Sequence, residues 1–202
     1  MDKNQMQQLV DAVLGSLFVE LEASGRHVHV TKEQAQNLFG HSLTPQRPLS
    51  QPGQYLAKER VTVVGPKGEL TNVAVLGPER KAGQVEISLT DARTLGVVAP
   101  VRLSGDVAGS PGITLKGDRG SVTLSEGVIV AQRHIHLTPE DAKKFGVQDK
   151  QMVKLQTYTA RPVIFEDVAV RVSSDFAPFV HLDYDEANAC GFQKGDLGRI
   201  LP

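Results

Sequence analysis

Four of the six histidines in this chain stand in two His-x-His pairs, His27/His29 and His134/His136. Both pairs lie in Val-, Ile- and Leu-rich runs, and in an extended strand side chains i and i+2 point the same way. Each pair therefore presents two imidazoles to one side, and neutral imidazole nitrogens are ordinary ligands of a divalent metal such as zinc. One such pair is more often a surface feature, but here the surrounding frame is repeated. Arg26-His-Val-His-Val-Thr-Lys-Glu-Gln-Ala35, ending at Gly40, matches Arg133-His-Ile-His-Leu-Thr-Pro-Glu-Asp-Ala142, ending at Gly146. Two weaker copies share the second half of the frame: Glu86-Ile-Ser-Leu-Thr-Asp-Ala92 to Gly96, and His181-Leu-Asp-Tyr-Asp-Glu-Ala187 to Gly191. Aligned on the frame, Glu86 and His181 are expected at the place of the first histidine of each pair. These six candidate donors exceed the four of one tetrahedral zinc, so two ions are expected.

Around these groups stand a few cations. Arg80 follows a Gly-Pro turn six residues before Glu86. A guanidinium there suits a planar, bidentate grip on phosphate or carboxylate, against the default of a solvated loop arginine. Lys67, at a turn, reads as a surface lysine. Arg26 and Arg133 precede the histidine pairs out of phase with them and are expected in structural ion pairs. His41 matches no copy and reads as a surface histidine. Cys190, the only cysteine, is expected as a small buried thiol, and no intramolecular disulfide is possible.

The elements that must position these residues are short. Each copy reads as a strand, a Thr or Asp helix cap, about two helical turns and a Gly stop. Pro139 falls at the first helical position, where its missing N–H costs nothing. Residues 61–64 and 70–76 flank Gly65-Pro-Lys-Gly68 as a hairpin. Further runs at 84–89, 101–103, 113–115, 121–124, 128–133, 152–157, 163–172 and 179–183 favour a sandwich or small barrels, with no strand–helix–strand period of a parallel sheet. The two strong copies lie 107 residues apart, which predicts a duplicated chain of two related β domains. The boundary is expected in or near Ser104–Gly112, giving domains of 19–108 and 109–202.

Residues 1–18 have another texture. Met6, Leu9, Val10, Val13, Leu14, Leu17 and Phe18 recur at helical spacing, which predicts an amphipathic helix docked on its own domain or on a partner. Asp11 interrupts any signal-like apolar run. The 202 residues carry 22 Lys+Arg against 23 Asp+Glu, a net charge of −1, which argues against a nucleic-acid partner. No stretch approaches the roughly 18 apolar residues of a membrane span.

Over nearly its whole length the chain resembles the phosphate propanoyltransferases, metal-dependent phosphotransacylases of bacterial microcompartments. The resemblance rests on Ser24-Gly-Arg-His-Val-His29, Gln51-Pro-Gly-Gln-Tyr55, Val64-Gly-Pro-Lys-Gly68, Leu76-Gly-Pro-Glu-Arg80, Gln84-Val-Glu-Ile-Ser88, Thr90-Asp-Ala-Arg-Thr-Leu-Gly96, the run from Gly127 through His136, and Asp185-Glu-Ala-Asn-Ala189. It implies a mainly β fold of two related small β-barrel domains, each capped by short α-helices, in which strands can swap between barrels. It also implies two zinc ions, one held by His27 and His29 with positions left for substrate or coenzyme A sulfur, the other by Glu86, His134, His136 and His181. Arg80 matches the phosphate-binding, catalytic arginine; Ser24, Lys67 and Asn188 match coenzyme A contacts. The family often has arginine where Ala74 stands, with Arg47 and Lys58 the candidate replacements. The N-terminal helix resembles an encapsulation peptide, implying docking on shell or cargo proteins in the lumen of a cytoplasmic microcompartment; a homo-oligomer stays open.

The implied reaction is reversible: propanoyl-CoA or acetyl-CoA plus phosphate gives acyl phosphate plus coenzyme A, by direct attack of phosphate. A zinc-dependent thioester hydrolase would use the same ligands with water in place of phosphate. A non-enzymatic microcompartment protein with structural zinc is the next alternative, and a metal-storage module the last.

Overall fold

The computed structural model describes residues 2–201, with the side chains of residues 9, 11, 12 and 16 outside the described set. In chain order the first half comprises α1 (Lys3–Leu17), β1 (Val19–Ala23), β2 (His27–His29), α2 (Lys32–Phe39), β3 (Pro45–Pro48), β4 (Tyr55–Val64), β5 (Glu69–Gly77), β6 (Gln84–Ile87), α3 (Leu89–Leu95) and β7 (Val101–Arg102). The second half comprises β8 (Ile113–Lys116), β9 (Ser121–Leu124), β10 (Val128–Ala131), β11 (His134–Leu137), α4 (Pro139–Phe145), β12 (Met152–Tyr158), β13 (Ile164–Val172), β14 (Phe179–Leu182), α5 (Tyr184–Cys190) and β15 (Leu197–Leu201). The expected hairpin is β4–β5, and each expected run holds a strand, although the run at 84–89 ends in the cap and first residue of α3.

The helices form where the repeat places them. Thr31, Ser88 and Thr138 each accept an N–H from the third helical residue, and Gln34, Asp91 and Asp141 return the bond to the cap backbone. In the third copy the cap is thus Ser88, not a Thr or Asp. Gly40, Gly96 and Gly146 end these helices at φ of 80°, 76° and 67°, a left-handed turn that favours glycine. The alanine common to the four copies (Ala35, Ala92, Ala142, Ala187) is buried in each helix.

The chain divides into two compact units: Met1–Ala23 with Arg133–Leu182 and Glu186–Pro202, and Ser24–Gln132 with Asp183–Asp185. The division therefore departs from the expected boundary at 108/109. Its cause is hydrogen bonding. Strands β8, β9 and β10 extend the sheet built on β4 and β6, whereas β1 pairs with β14 and β15. The strand just before each histidine pair thus belongs to the unit that does not hold that pair.

The first unit is a closed barrel, β1-β14-β11-β13-β12-β15, completed by antiparallel pairing of β15 with β1. The second is a nine-stranded sheet, β7-β10-β6-β2-β5-β4-β8-β9, with β3 on β4. Its central run β10-β6-β2-β5-β4-β8 repeats the barrel strand for strand, with the same parallel or antiparallel sense at each step. Only one of the two expected barrels closes. In the sheet, β7 occupies the free edge of β10 and β9 that of β8, so the edges that would close it are already paired.

The parallel pairs were not legible in the sequence. β2 pairs in parallel with β5, and β11 with β13. Antiparallel strands intervene along the chain, β3 and β4 in one case and β12 in the other, and they mask the strand–helix–strand spacing.

Each unit has its own hydrophobic core. Val28 and Val30 lie fully buried in one, Ile135 and Leu137 in the other. These residues alternate with the histidines, so β2 and β11 are buried on both faces, one against hydrocarbon and one carrying imidazoles. Helix α1 differs: Met6, Val10, Val13, Leu14 and Leu17 are exposed, while Leu9 of the expected stripe has its side chain outside the described residues. Among the described residues no helix is long and apolar enough to cross a membrane.

Because Ile135 anchors the strand between two histidines, Ile135→Ala should destabilise the fold by about 2–5 kcal/mol. Denaturant unfolding would measure it; a midpoint unchanged from that of the unaltered protein would contradict this account of the core.

Candidate active site

Strands β2 and β6 run antiparallel with His27 opposite Glu86, and β11 and β14 run antiparallel with His134 opposite His181. One construction therefore appears twice: a two-histidine strand and a facing strand that supplies a third donor. Counted back from the shared helix alanine, Glu86 and His181 stand six residues upstream, level with the second histidine and not the first as expected. The antiparallel register, not the repeat, sets them against the first histidine.

In the Ser24–Gln132 unit, His27, His29 and Glu86 are buried, with one potential ligand atom of each within 4.8 Å of the others. His27 Nδ1 lies 2.8 Å from the Gly25 carbonyl and His29 Nδ1 3.3 Å from that of Leu76. A carbonyl only accepts, so each Nδ1 carries a hydrogen and each neutral ring turns its Nε2 lone pair inward. Glu86 Oε1 is 3.5 Å from His27 Nε2 and 3.7 Å from His29 Nε2. The resemblance grouped Glu86 with the other three histidines; its carboxylate here lies beside His27 and His29.

Electrostatics follow from this burial. Desolvation would raise the Glu86 carboxyl, but the His27 charge and hydrogen bond outweigh it and hold the group well below the usual range. His29 is lowered well below its ordinary value, first by burial and then by the positive charges of His27 and Arg80. For His27, burial acts downward, and Glu86 together with the Gly25 carbonyl reverses the balance, leaving it raised. Without metal, one proton is shared within the His27–Glu86 pair, and a cation would displace it.

A hydrogen-bond chain holds Glu86 in place. Gln84 Nε2 donates to Glu86 Oε1 at 2.6 Å and to Ser104 Oγ at 2.9 Å, while Gln84 Oε1 accepts the Gly105 N–H at 2.9 Å. Arg80 donates from its guanidinium to the same Ser104 Oγ at 3.0 Å, and from its backbone N–H to Val30 at 2.8 Å. Sequence reasoning missed Gln84 and Ser104. A signal existed for Gln84, which stands eight residues before Ala92, where the strong copies carry their first histidine. Arg80 also lines an open cleft of about 710 Å³ with Thr31, Lys32, Glu33, Glu79 and Lys81.

In the barrel unit, His134 and His136 are buried and His181 is half-buried; one potential ligand atom of each lies within 4.8 Å of the others. His134 Nε2 and His136 Nε2 are 3.0 Å apart, and His181 Nε2 is buried without a hydrogen bond. Zinc–nitrogen bonds of about 2.0–2.1 Å in a tetrahedron put neighbouring donors about 3.3 Å apart. The 3.5 and 3.7 Å from Glu86 to its two histidines and the 3.0 Å between His134 and His136 are of that size, and the remaining donor atoms lie within 4.8 Å, so each set can gather around such an ion.

Other expected residues fall as follows. Ser24 is half-buried between β1 and β2, Lys67 is exposed at the hairpin turn and Asn188 is exposed on α5. Ala74 on β5 is the register partner of His27 and of Arg60, and Arg47 and Lys58 are exposed. Arg26 pairs with buried Asp91 at 3.0 Å and Arg133 with Glu186 at 2.8 Å, as their phase predicts. His41 is exposed, and burial raises the thiol of the fully buried Cys190.

A sequence profile of the phosphate propanoyltransferases matches residues 20–193. The chain belongs to the phosphate propanoyltransferase family. It is 58% identical over 185 residues to the phosphate propanoyltransferase of Listeria monocytogenes, covering 91% of this chain and 87% of that protein. Identity to the Clostridioides difficile phosphate propanoyltransferase is 50% over 198 residues, covering 97% and 95%. To that of Thermotoga maritima it is 54% over 181 residues, covering 88% and 86%. Like its relatives, this member of the family is an acyltransferase.

Two outcomes follow from this geometry. Gln84→Ala frees the Glu86 carboxylate to rotate and should weaken metal retention at the His27 set about 10- to 100-fold, read by chelator competition. In the metal-free protein, the depressed Glu86 value stabilises the fold above the ordinary 4.5 and is lost on acidification. The raised His27 value stabilises it below the ordinary 6.5 and is lost as pH rises. The Tm difference between the unaltered protein and Glu86→Gln should be widest between those values; a flat difference across pH would count against the pair.

Proposed function

We propose that this acyltransferase interconverts a short-chain acyl-CoA plus phosphate with acyl phosphate plus coenzyme A, the acyl group being propanoyl or acetyl. The observation that carries the reading is the pair of three-donor sets, each fitted to hold a zinc ion: His27, His29 and Glu86 in one, His134, His136 and His181 in the other. Bound zinc would supply an electrophile for the thioester oxygen and would accept the leaving thiolate, itself a soft ligand.

The chain's own groups do the rest. Arg80 grips phosphate and holds an oxygen of it towards the carbonyl carbon; its other arm, on Ser104, fixes the guanidinium. A phosphate oxygen bonds to the thioester carbonyl carbon, the carbon–sulfur bond breaks, and the electron pair leaves with sulfur. Lys32 and Lys81, beside Arg80, add positive potential for these anions. Ser24, Lys67 and Asn188 contact coenzyme A in this reading.

No covalent acyl-enzyme is needed. Cys190 is buried and its thiol is raised, Ser104 already accepts bonds from Arg80 and Gln84, and five of the six histidines lie in the donor sets. Helix α1 docks on shell or cargo proteins of a bacterial microcompartment, for which its exposed apolar face is suited.

The test mixes protein with propanoyl-CoA or acetyl-CoA and follows free thiol. Release should require phosphate and stop on chelation; phosphate-independent release would instead indicate a hydrolase. Arg80→Ala should raise the KM for phosphate about 10- to 100-fold, matching the roughly 1.5–3 kcal/mol of a hydrogen bond to a charged group. Removal of residues 1–18 should leave turnover intact and abolish co-sedimentation with shells; a loss of folding would return α1 to its own core.

A further inference from the structure

Ser104 stands half-buried in the turn after β7, which the Asp106 N–H closes on the Leu103 carbonyl at 3.0 Å. Its hydroxyl oxygen accepts twice, from Arg80 Nη1 at 3.0 Å and from Gln84 Nε2 at 2.9 Å. A hydroxyl has two lone pairs and one hydrogen, so both acceptor positions are taken and only the hydrogen is left to give. It goes to Glu86: against burial, which acts upward, a hydrogen bond from Ser104 helps the His27 and His29 charges to hold that carboxyl low. Among the described residues the hydroxyl thus bonds to three side chains and not to the backbone of its own turn, the usual partner of a turn serine.

The turn is itself held in place. Gln84 and Glu86 stand two apart on β6 and point to the same side of the strand. The buried Gln84 amide spans Glu86 Oε1 at 2.6 Å, Ser104 Oγ and the Gly105 N–H at 2.9 Å, so the turn cannot move without breaking these bonds. We propose that Ser104 is a positioning residue for both halves of the site, its one hydroxyl tying the direction of the Arg80 guanidinium to that of the Glu86 carboxylate. Without that oxygen each partner loses a bond. Arg80 is then poorly aimed at phosphate, and Glu86 poorly aimed at a metal.

This inference rests on the reading of Arg80 as the phosphate grip and of His27, His29 and Glu86 as a metal site, and the experiment separates the three. Full-length protein is prepared unaltered and as Ser104→Ala, Ser104→Thr, Arg80→Ala, the Arg80→Ala/Ser104→Ala double variant and His29→Ala. Zinc per chain is followed during chelator titration, and the KM for phosphate and for propanoyl-CoA is measured at saturating zinc. Ser104→Ala should raise the KM for phosphate about 10-fold, leave that for propanoyl-CoA unchanged, and release one bound ion at about 10-fold lower chelator. Ser104→Thr, which keeps the hydroxyl, should restore both properties. On the Arg80→Ala background, Ser104→Ala should add nothing to the KM for phosphate and still weaken zinc retention. Loss of only one of the two properties in Ser104→Ala, or a further rise in the KM for phosphate on the Arg80→Ala background, would overturn the double role of Ser104 alone. An unchanged KM for phosphate in Arg80→Ala would remove the phosphate grip, and zinc retained in full by His29→Ala would remove the metal site; either result overturns this inference with the reading beneath it.

Discussion

Two strands buried on both faces carry the organisation of this protein. In β2 and β11, valine, isoleucine and leucine face hydrocarbon while the alternating histidines face a donor set, so one backbone register serves core and chemistry together. A slip by one residue would drive imidazoles into the core and aliphatic groups into the site. The core that stabilises each unit therefore also holds the ligand geometry. Burial has an electrostatic side as well: it disfavours charge on His29 and leaves its nitrogen free for a cation at neutral pH.

The two donor sets share a scaffold and differ in charge and support. One ends on a carboxylate that Gln84 holds and that Ser104 links to Arg80, so Glu86 and the proposed phosphate-binding arginine belong to one hydrogen-bond chain. The other consists of three imidazoles, His134, His136 and His181. The duplicated frame supplies two copies of a strand pair that carries potential donors. Gln84 and Glu86 on one side, against Phe179 and His181 at the equivalent places on the other, set the two apart.

Much of this was legible in the residues. The strands announced themselves through short β-branched runs, and α2, α3 and α4 through caps and glycine stops, because these signals act within a few residues. The repeat singles out all six residues that the structure gathers into the two sets, and strand phase alone assigns Arg26 and Arg133 to ion pairs. Ser88 replaced the expected cap, since several small polar residues in that stretch could fill the role and only the helix start chooses among them. Gln84 and Ser104 stayed unseen: a buried amide and a hydroxyl have no function until their partners are known, and these partners lie up to 24 residues apart.

By itself, then, the sequence determined the element types, the duplication, the donor chemistry and the resemblance to an acyltransferase family. Each depends on local pattern or on similarity along the chain. Tertiary structure alone decided which strands pair, that β1 and β10 cross to opposite units, that one sheet closes and the other stays open, and that Glu86 lies beside His27 and His29. The reason is physical: strand pairing satisfies backbone groups that every residue carries, so its long-range partners leave almost no mark on side-chain composition.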